Sequence, residues 1–227
     1  MGIIFNSIFF WLLYSAFFWL VSLLLSSLLW LVAASLSGPL EVGLVFAVLF
    51  QELFRYLIYL LLRKADAGLK KITDSSTQII NNKNILAYVS GLGFGIISGL
   101  FSFVNILASA VGPGTVGLQG DSTLFFVTQA VTTLIFILLH VVWGVLFFNG
   151  MDRKNYWAPA WVVGSHMLVS CLTLLNKSQL YAATIIPSLL VLILSSVWSA
   201  SVSGATLSSL LLCVRSRPPL TVSVTID

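Results

Sequence analysis

Polar and charged residues fall in short intervals along this 227-residue chain, and long apolar stretches run between them. A helix needs about 20 predominantly apolar residues to cross a hydrocarbon core of about 30 Å. Six stretches are long enough: one within residues 3–34, then about 42–62, 85–111, 123–148, 157–175 and 180–213. The first and last exceed that length at about 1.5 Å per residue, so only part of each has to span. The pattern predicts an all-α fold, a polytopic transmembrane helix bundle of about six spans. It would form one unit over residues 1–213, with a cytosolic tail over 214–227. The tail contains Pro218 and Pro219 and is expected to be disordered. The first stretch carries no charge and has no basic segment before it, so it reads as an uncleaved anchor. No internal repeat is evident, which argues against the inverted-repeat plan of many transporters.

Composition agrees with the lipid reading. Hydrophobic residues make up 59% of the chain, charged residues 8%, and the mean hydropathy is +1.05. A soluble domain carries about 25% charged residues. The net charge of +4 alone would suggest an acidic partner, but the positions of the cations suggest otherwise. Residues 35–41 and 112–122 contain no Lys or Arg, whereas 63–84 contain five, 150–156 two and the tail two. The 176–179 turn has one, Lys177. This alternation is the positive-inside signal, and it places both termini in the cytosol. It does not describe a nucleic-acid patch. The 63–84 segment is the one long connection expected, and its composition suggests mobility. Cys171 and Cys213 set no disulfide framework. Packing is the reading for both, with palmitoylation an alternative for Cys213 at a membrane edge.

Polar groups at membrane depth need a reason to be there. Glu52 and Arg55 lie i, i+3 in the second stretch and share a helix face, which Tyr56, Tyr59 and Arg63 continue. They form either a polar seam toward another helix or a self-satisfied ion pair, with Arg55 snorkelling to the cytosol. In the third stretch Gly91, Gly95 and Gly99 give two overlapping GxxxG motifs, extended by Ser98 and Ser102. Such a bare groove admits close helix contact, with a partner either inside the chain or in another subunit. His140 and His166 are read as a hydrogen-bonded pair bridging neighbouring helices. Proton relay and metal ligation are the alternatives. No cofactor or metal is expected. In the 112–122 loop, Asp121 is a candidate N-cap for the next helix. Asn176-Lys177-Ser178 is a sequon on the predicted lumenal side, expected to stay unmodified because the turn is so short.

Enzymatic readings fare poorly. Aspartyl intramembrane proteolysis needs two aspartates at membrane depth, and Asp66, Asp74, Asp121, Asp152 and Asp227 all fall in predicted loops or the tail. There is no HExxH and no nucleotide-binding loop. Ser98 with His140 or His166 is the nearest serine-protease constellation, and it lacks GxSG spacing.

Several segments resemble the anterior-pharynx-defective (Aph-1) family of γ-secretase subunits. They are residues 16–25, Gln51-Glu52-Leu53-Phe54-Arg55, and above all the run from Ala87 to Gly99. Gly112-Pro113-Gly114, Gly120-Asp121-Ser122, Leu138-Leu139-His140 and Ser165-His166-Met167-Leu168 also match. The likeness runs from about Ala16 to Cys213 and is weak across 35–47 and 177–195. It implies a non-catalytic scaffold that assembles with presenilin, nicastrin and the presenilin enhancer, and so supports cleavage of Notch and the amyloid precursor. It also implies residence in the endoplasmic reticulum, Golgi and plasma membrane. By that likeness Gly91, Gly95 and Gly99 mediate assembly, and His140 and His166 support the fold and the presenilin contact. The family pattern has seven spans, so this chain reads as an N-terminally shortened form. Gln119 stands where a histidine is expected, and Ser109 where an acidic residue is usual. The competing reading is a transporter or channel-like protein using Glu52, Arg55, His140 and His166.

Overall fold

The computed structural model describes residues 2–35, 40–72, 83–108 and 124–204. They form six α-helices: α1 (Gly2–Ser35), α2 (Leu40–Ile72), α3 (Lys83–Ala108), α4 (Phe125–Asp152), α5 (Trp157–Leu172) and α6 (Tyr181–Val202). A 3₁₀ turn, Thr173–Ser178, continues from α5. All six spans are long and apolar enough to cross a membrane, as the hydropathy pattern predicts. The expected 213/214 boundary, the tail, Cys213, and the 112–122 loop with Asp121 lie outside the described residues, as do Ser109 and Gln119.

Two boundaries differ from the sequence expectation. α2 does not stop near residue 62 but runs on to Ile72, through half of the expected long connection. Its extra turns read Arg63-Lys64-Ala65-Asp66-Ala67, mostly good helix formers that carry the helix on past the apolar run. The 176–179 turn belongs to a longer 3₁₀ segment, which ends at Gln179 in the left-handed region (φ 58°). Pro159 sits in the first turn of α5, where no intrahelical donor is lost.

α4 is central. It packs on α3, α5 and α6, while α1 lies against α2 and α3, and α2 also touches α5. Trp143, Leu139 and Leu146 of α4 meet Ile58 of α2 and Val162 and Val169 of α5 in the interior, all essentially inaccessible. The outer faces of α1 and α6 carry exposed Phe10, Phe17, Leu31, Leu190, Leu194 and Val197. Lipid solvates such faces, so their exposure is not a defect of packing.

Candidate functional site: a buried polar cluster on a glycine-packed helix pair

The α3–α4 seam is built from missing side chains. A Cβ on Gly91 would lie 2.7 Å from the His140 carbonyl oxygen and 2.9 Å from the Val141 Cα. One on Gly95 would lie 2.6 Å from the Ile137 carbonyl oxygen, and one on Gly99 2.5 Å from the Ile137 Cδ1. Gly144 of α4 answers from the other side, since its Cβ would meet the Gly91 Cα at 2.8 Å. The two backbones are therefore in contact, and close van der Waals packing holds them where hydrophobicity gives lipid-immersed helices no drive to associate. The question of what fills the tandem motif has an internal answer: α4 of the same chain.

Gly93 points elsewhere. Its Cβ would run into the Leu12 carbonyl of α1 and come within 3.0 Å of the Ser15 Cβ. Beside it, the hydroxyls of Ser15 and Ser90 are 2.9 Å apart, and the Ser15 hydroxyl also reaches the Trp11 carbonyl. α3 thus offers one bare face to α4 and another to α1. Sequence reasoning missed Gly93, Gly144 and Ser15. Gly93 was legible, because it lies two positions from Gly91 and so falls on another face of the helix.

Behind the seam, four polar side chains from three helices meet. Arg55 Nε donates to Glu52 Oε2 at 3.0 Å, and its Nη2 lies 3.2 Å from Glu52 Oε1, closing the i, i+3 pair. The guanidinium does not snorkel. Arg55 is 2% exposed, donates to the His140 carbonyl at 3.3 Å and to His140 Nδ1 at 3.0 Å, and lies over the Phe94 ring. Glu52 Oε1 takes a second partner, His166 Nδ1, at 2.7 Å. The histidines do not pair with each other as the sequence suggests. Their rings meet edge to face, 5.1 Å between centroids, and the ion pair links them through both Nδ1 atoms. An isolated buried charge is very unfavourable in lipid, and removing one partner from such a network leaves the other stranded. Gly91 belongs to the same arrangement, because its bare Cα makes room for the carbonyl that Arg55 binds.

The rest of the expected stripe divides. Tyr59 and Arg63 both reach Asp152 at the end of α4, at 3.1 Å and 2.8 Å, while Tyr56 lies on an exposed face. Asp152, read from sequence as a loop residue, is thus the tie between α2 and α4 at the basic end of the bundle. Ser98 donates to the Gly95 carbonyl and to neither histidine, so the serine-protease constellation is not assembled. The Asn176 side chain accepts a hydrogen bond from Thr184 at 2.8 Å.

A profile described as "Aph-1 protein" matches residues 4–206, nearly the whole chain. The chain belongs to the Aph-1 family. Among its curated relatives is the γ-secretase subunit Aph-1 of Drosophila melanogaster, 52% identical over 192 residues, covering 85% of this chain and 80% of the relative. The γ-secretase subunit Aph-1b of Danio rerio is 46% identical, covering 89% and 81%. The human γ-secretase subunit APH-1B is 44% identical, covering 88% and 79%. The stretch of this chain that the profile matches includes the tandem glycines, both histidines and the Glu52–Arg55 pair.

Proposed function

We infer that this chain is a subunit of a γ-secretase complex and acts there as a non-catalytic scaffold. Its partners would be presenilin, nicastrin and the presenilin enhancer, and through them it would support cleavage of type I membrane substrates such as Notch and the amyloid precursor. Membership of the complex follows from the Aph-1 family and the names of the relatives. The scaffold role rests chiefly on one observation: Glu52, Arg55, His140 and His166 are all committed to one another across α2, α4 and α5. A transporter would need the charged pair free to meet an ion, and a hydrolase would need a nucleophile directed at a base, whereas Glu52 and Arg55 hold each other and Ser98 donates to the Gly95 carbonyl. Here the polar cluster fastens helices, which leaves the lipid-facing sides of α1 and α6 for other subunits. The endoplasmic reticulum, Golgi and plasma membrane, with both termini cytosolic, complete the proposal.

The test is a mild-detergent pull-down of the tagged chain from cell membranes, probed for nicastrin and presenilin. Recovery of both supports the scaffold reading. A well-expressed, monodisperse chain that recovers neither removes it.

A further inference from the structure

A cavity of about 340 Å³ opens among α1, α2, α3, α4 and α5, at the end of the bundle away from Arg63 and Asp152. That volume falls within the range of small-molecule pockets, about 300–1,000 Å³, and a space this polar holds water rather than staying dry. Its walls mix Trp19, Phe101 and Phe136 with the amides of Gln51 and Gln129 and several hydroxyls. His140 and His166 contribute to the lining. None of the lining side chains is a carboxylate, a lysine or an arginine.

The hydrogen-bonding character of this lining can be read group by group. Arg55 can only donate, so His140 Nδ1 accepts, and the neutral ring carries its proton on Nε2. Glu52 draws the proton of His166 onto Nδ1, which leaves a lone pair on Nε2 in the neutral ring. With both rings neutral, the two imidazoles have one donor and one acceptor left over. The same reasoning disfavours a metal bridged by both rings, because Arg55 holds His140 in the tautomer whose Nε2 cannot ligate. Ser98, Thr132 and Thr173 send their hydroxyl protons back to helix carbonyls, which leaves their oxygens as acceptors. The indole Nε1 of Trp19, a residue only 5% exposed, has no hydrogen-bond partner. That atom is itself enclosed, so the case for an occupant rests on the volume of the cavity and on its polar lining.

We propose that this cavity is a binding site for a small uncharged group bearing both a hydrogen-bond donor and an acceptor, of the hydroxyl or carboxamide type, admitted from the non-cytosolic side. Charge is disfavoured because Glu52 and Arg55 already neutralise each other behind the histidines, so nothing in the lining compensates a bound ion. The side of entry rests on the positive-inside orientation of the proposed function; the ligand class does not.

Cysteine accessibility in the membrane-embedded complex tests both parts. Ser98→Cys and Ser102→Cys, each in a Cys171→Ser/Cys213→Ser background, are treated with hydroxyethyl, trimethylammonioethyl and sulfonatoethyl methanethiosulfonates. Each rate is normalised to that of a free thiol in solution. Leu180→Cys and Tyr156→Cys, exposed at opposite ends of the bundle, report which face each reagent reaches. The expected result is modification of Ser98→Cys from the Leu180 side, with the neutral reagent about tenfold faster than either charged one, since burying an uncompensated charge is unfavourable. Equal normalised rates for charged and neutral reagents overturn the ligand class. Silence at both cavity positions while Leu180→Cys reacts overturns the site. If Ser98→Cys follows Leu180→Cys but both react from the cytosol, the stated side of entry is overturned and the orientation reading falls, while the cavity and its ligand class stand. Ser102, less buried than Ser98, decides alone if Ser98→Cys does not fold.

Discussion

α4 and α6 are similar helices by composition and opposite in use. Both have a high mean hydropathy, yet 56% of the most apolar window of α4 is buried against the rest of the chain and only 22% of that of α6. α1 is as apolar as either and 17% buried. In water such sequences would all seek the interior. In lipid, hydrophobicity does not separate inside from outside, and packing is decided by where side chains are small and where polar groups find partners. α4 has Gly144 facing Gly91, and it carries His140 to Arg55. α6 contributes buried Thr184, Ser188, Ser195 and Ser199 along one side and turns Leu190, Leu194 and Val197 outward.

The contrast can be broken most severely at its tightest point. Gly95→Leu should prevent the chain from accumulating in membranes, because no rotamer fits where even a Cβ meets the Ile137 carbonyl. Immunoblotting of membrane fractions, with the chain expressed alone, checks this. Next, Glu52→Ala strands Arg55 in a dry site and should cost about 3–5 kcal/mol, seen as a lowered thermal midpoint in detergent. The double variant Glu52→Gln/Arg55→Met should lose less than Glu52→Ala, because no unpaired charge remains. Overpacking by a single methyl comes third: Gly95→Ala should cost about 1–3 kcal/mol. At the basic end, where the Arg63 and Asp152 side chains are 17% and 19% exposed, Arg63→Ala should cost about 1–2 kcal/mol, more than a fully exposed pair would. The smallest effect belongs to the outward side of α5. A Cβ on Gly164 would meet nothing within 4 Å, so Gly164→Ala should be neutral or should gain about 0.5–1 kcal/mol of helix propensity. The sequon is a separate check. With Asn176 holding Thr184, glycosidase treatment should leave the electrophoretic mobility of the chain unchanged.

Most of the helices were legible because a span announces itself by length and hydropathy. α2 was read too short because Arg63 and Lys64 look like the start of a loop, yet a helix can leave the bilayer without ending. The tandem glycines were legible as a packing surface. Their partner was not, because GxxxG records only that a backbone approaches, and Gly144 belongs to no GxxxG motif of its own. The Glu52–Arg55 pair was legible from i, i+3 spacing. Its attachment to His140 and His166 was not, since those residues lie 85 and 114 positions from their partners and only the bundle brings them together. Asp152 was misread for the same reason: its role depends on where α2 passes.

The central claim is that the glycine motif and the polar cluster are satisfied within this chain, so that its fold precedes its partnerships. The most direct test is the thermal midpoint of the purified chain, without partners, for Gly95→Ala beside Gly164→Ala. A clear drop for Gly95→Ala with none for Gly164→Ala is the predicted result. If Gly95→Ala leaves the isolated chain as stable as the wild type and loses only the co-purification of other subunits, the groove faces a partner and the account is contradicted.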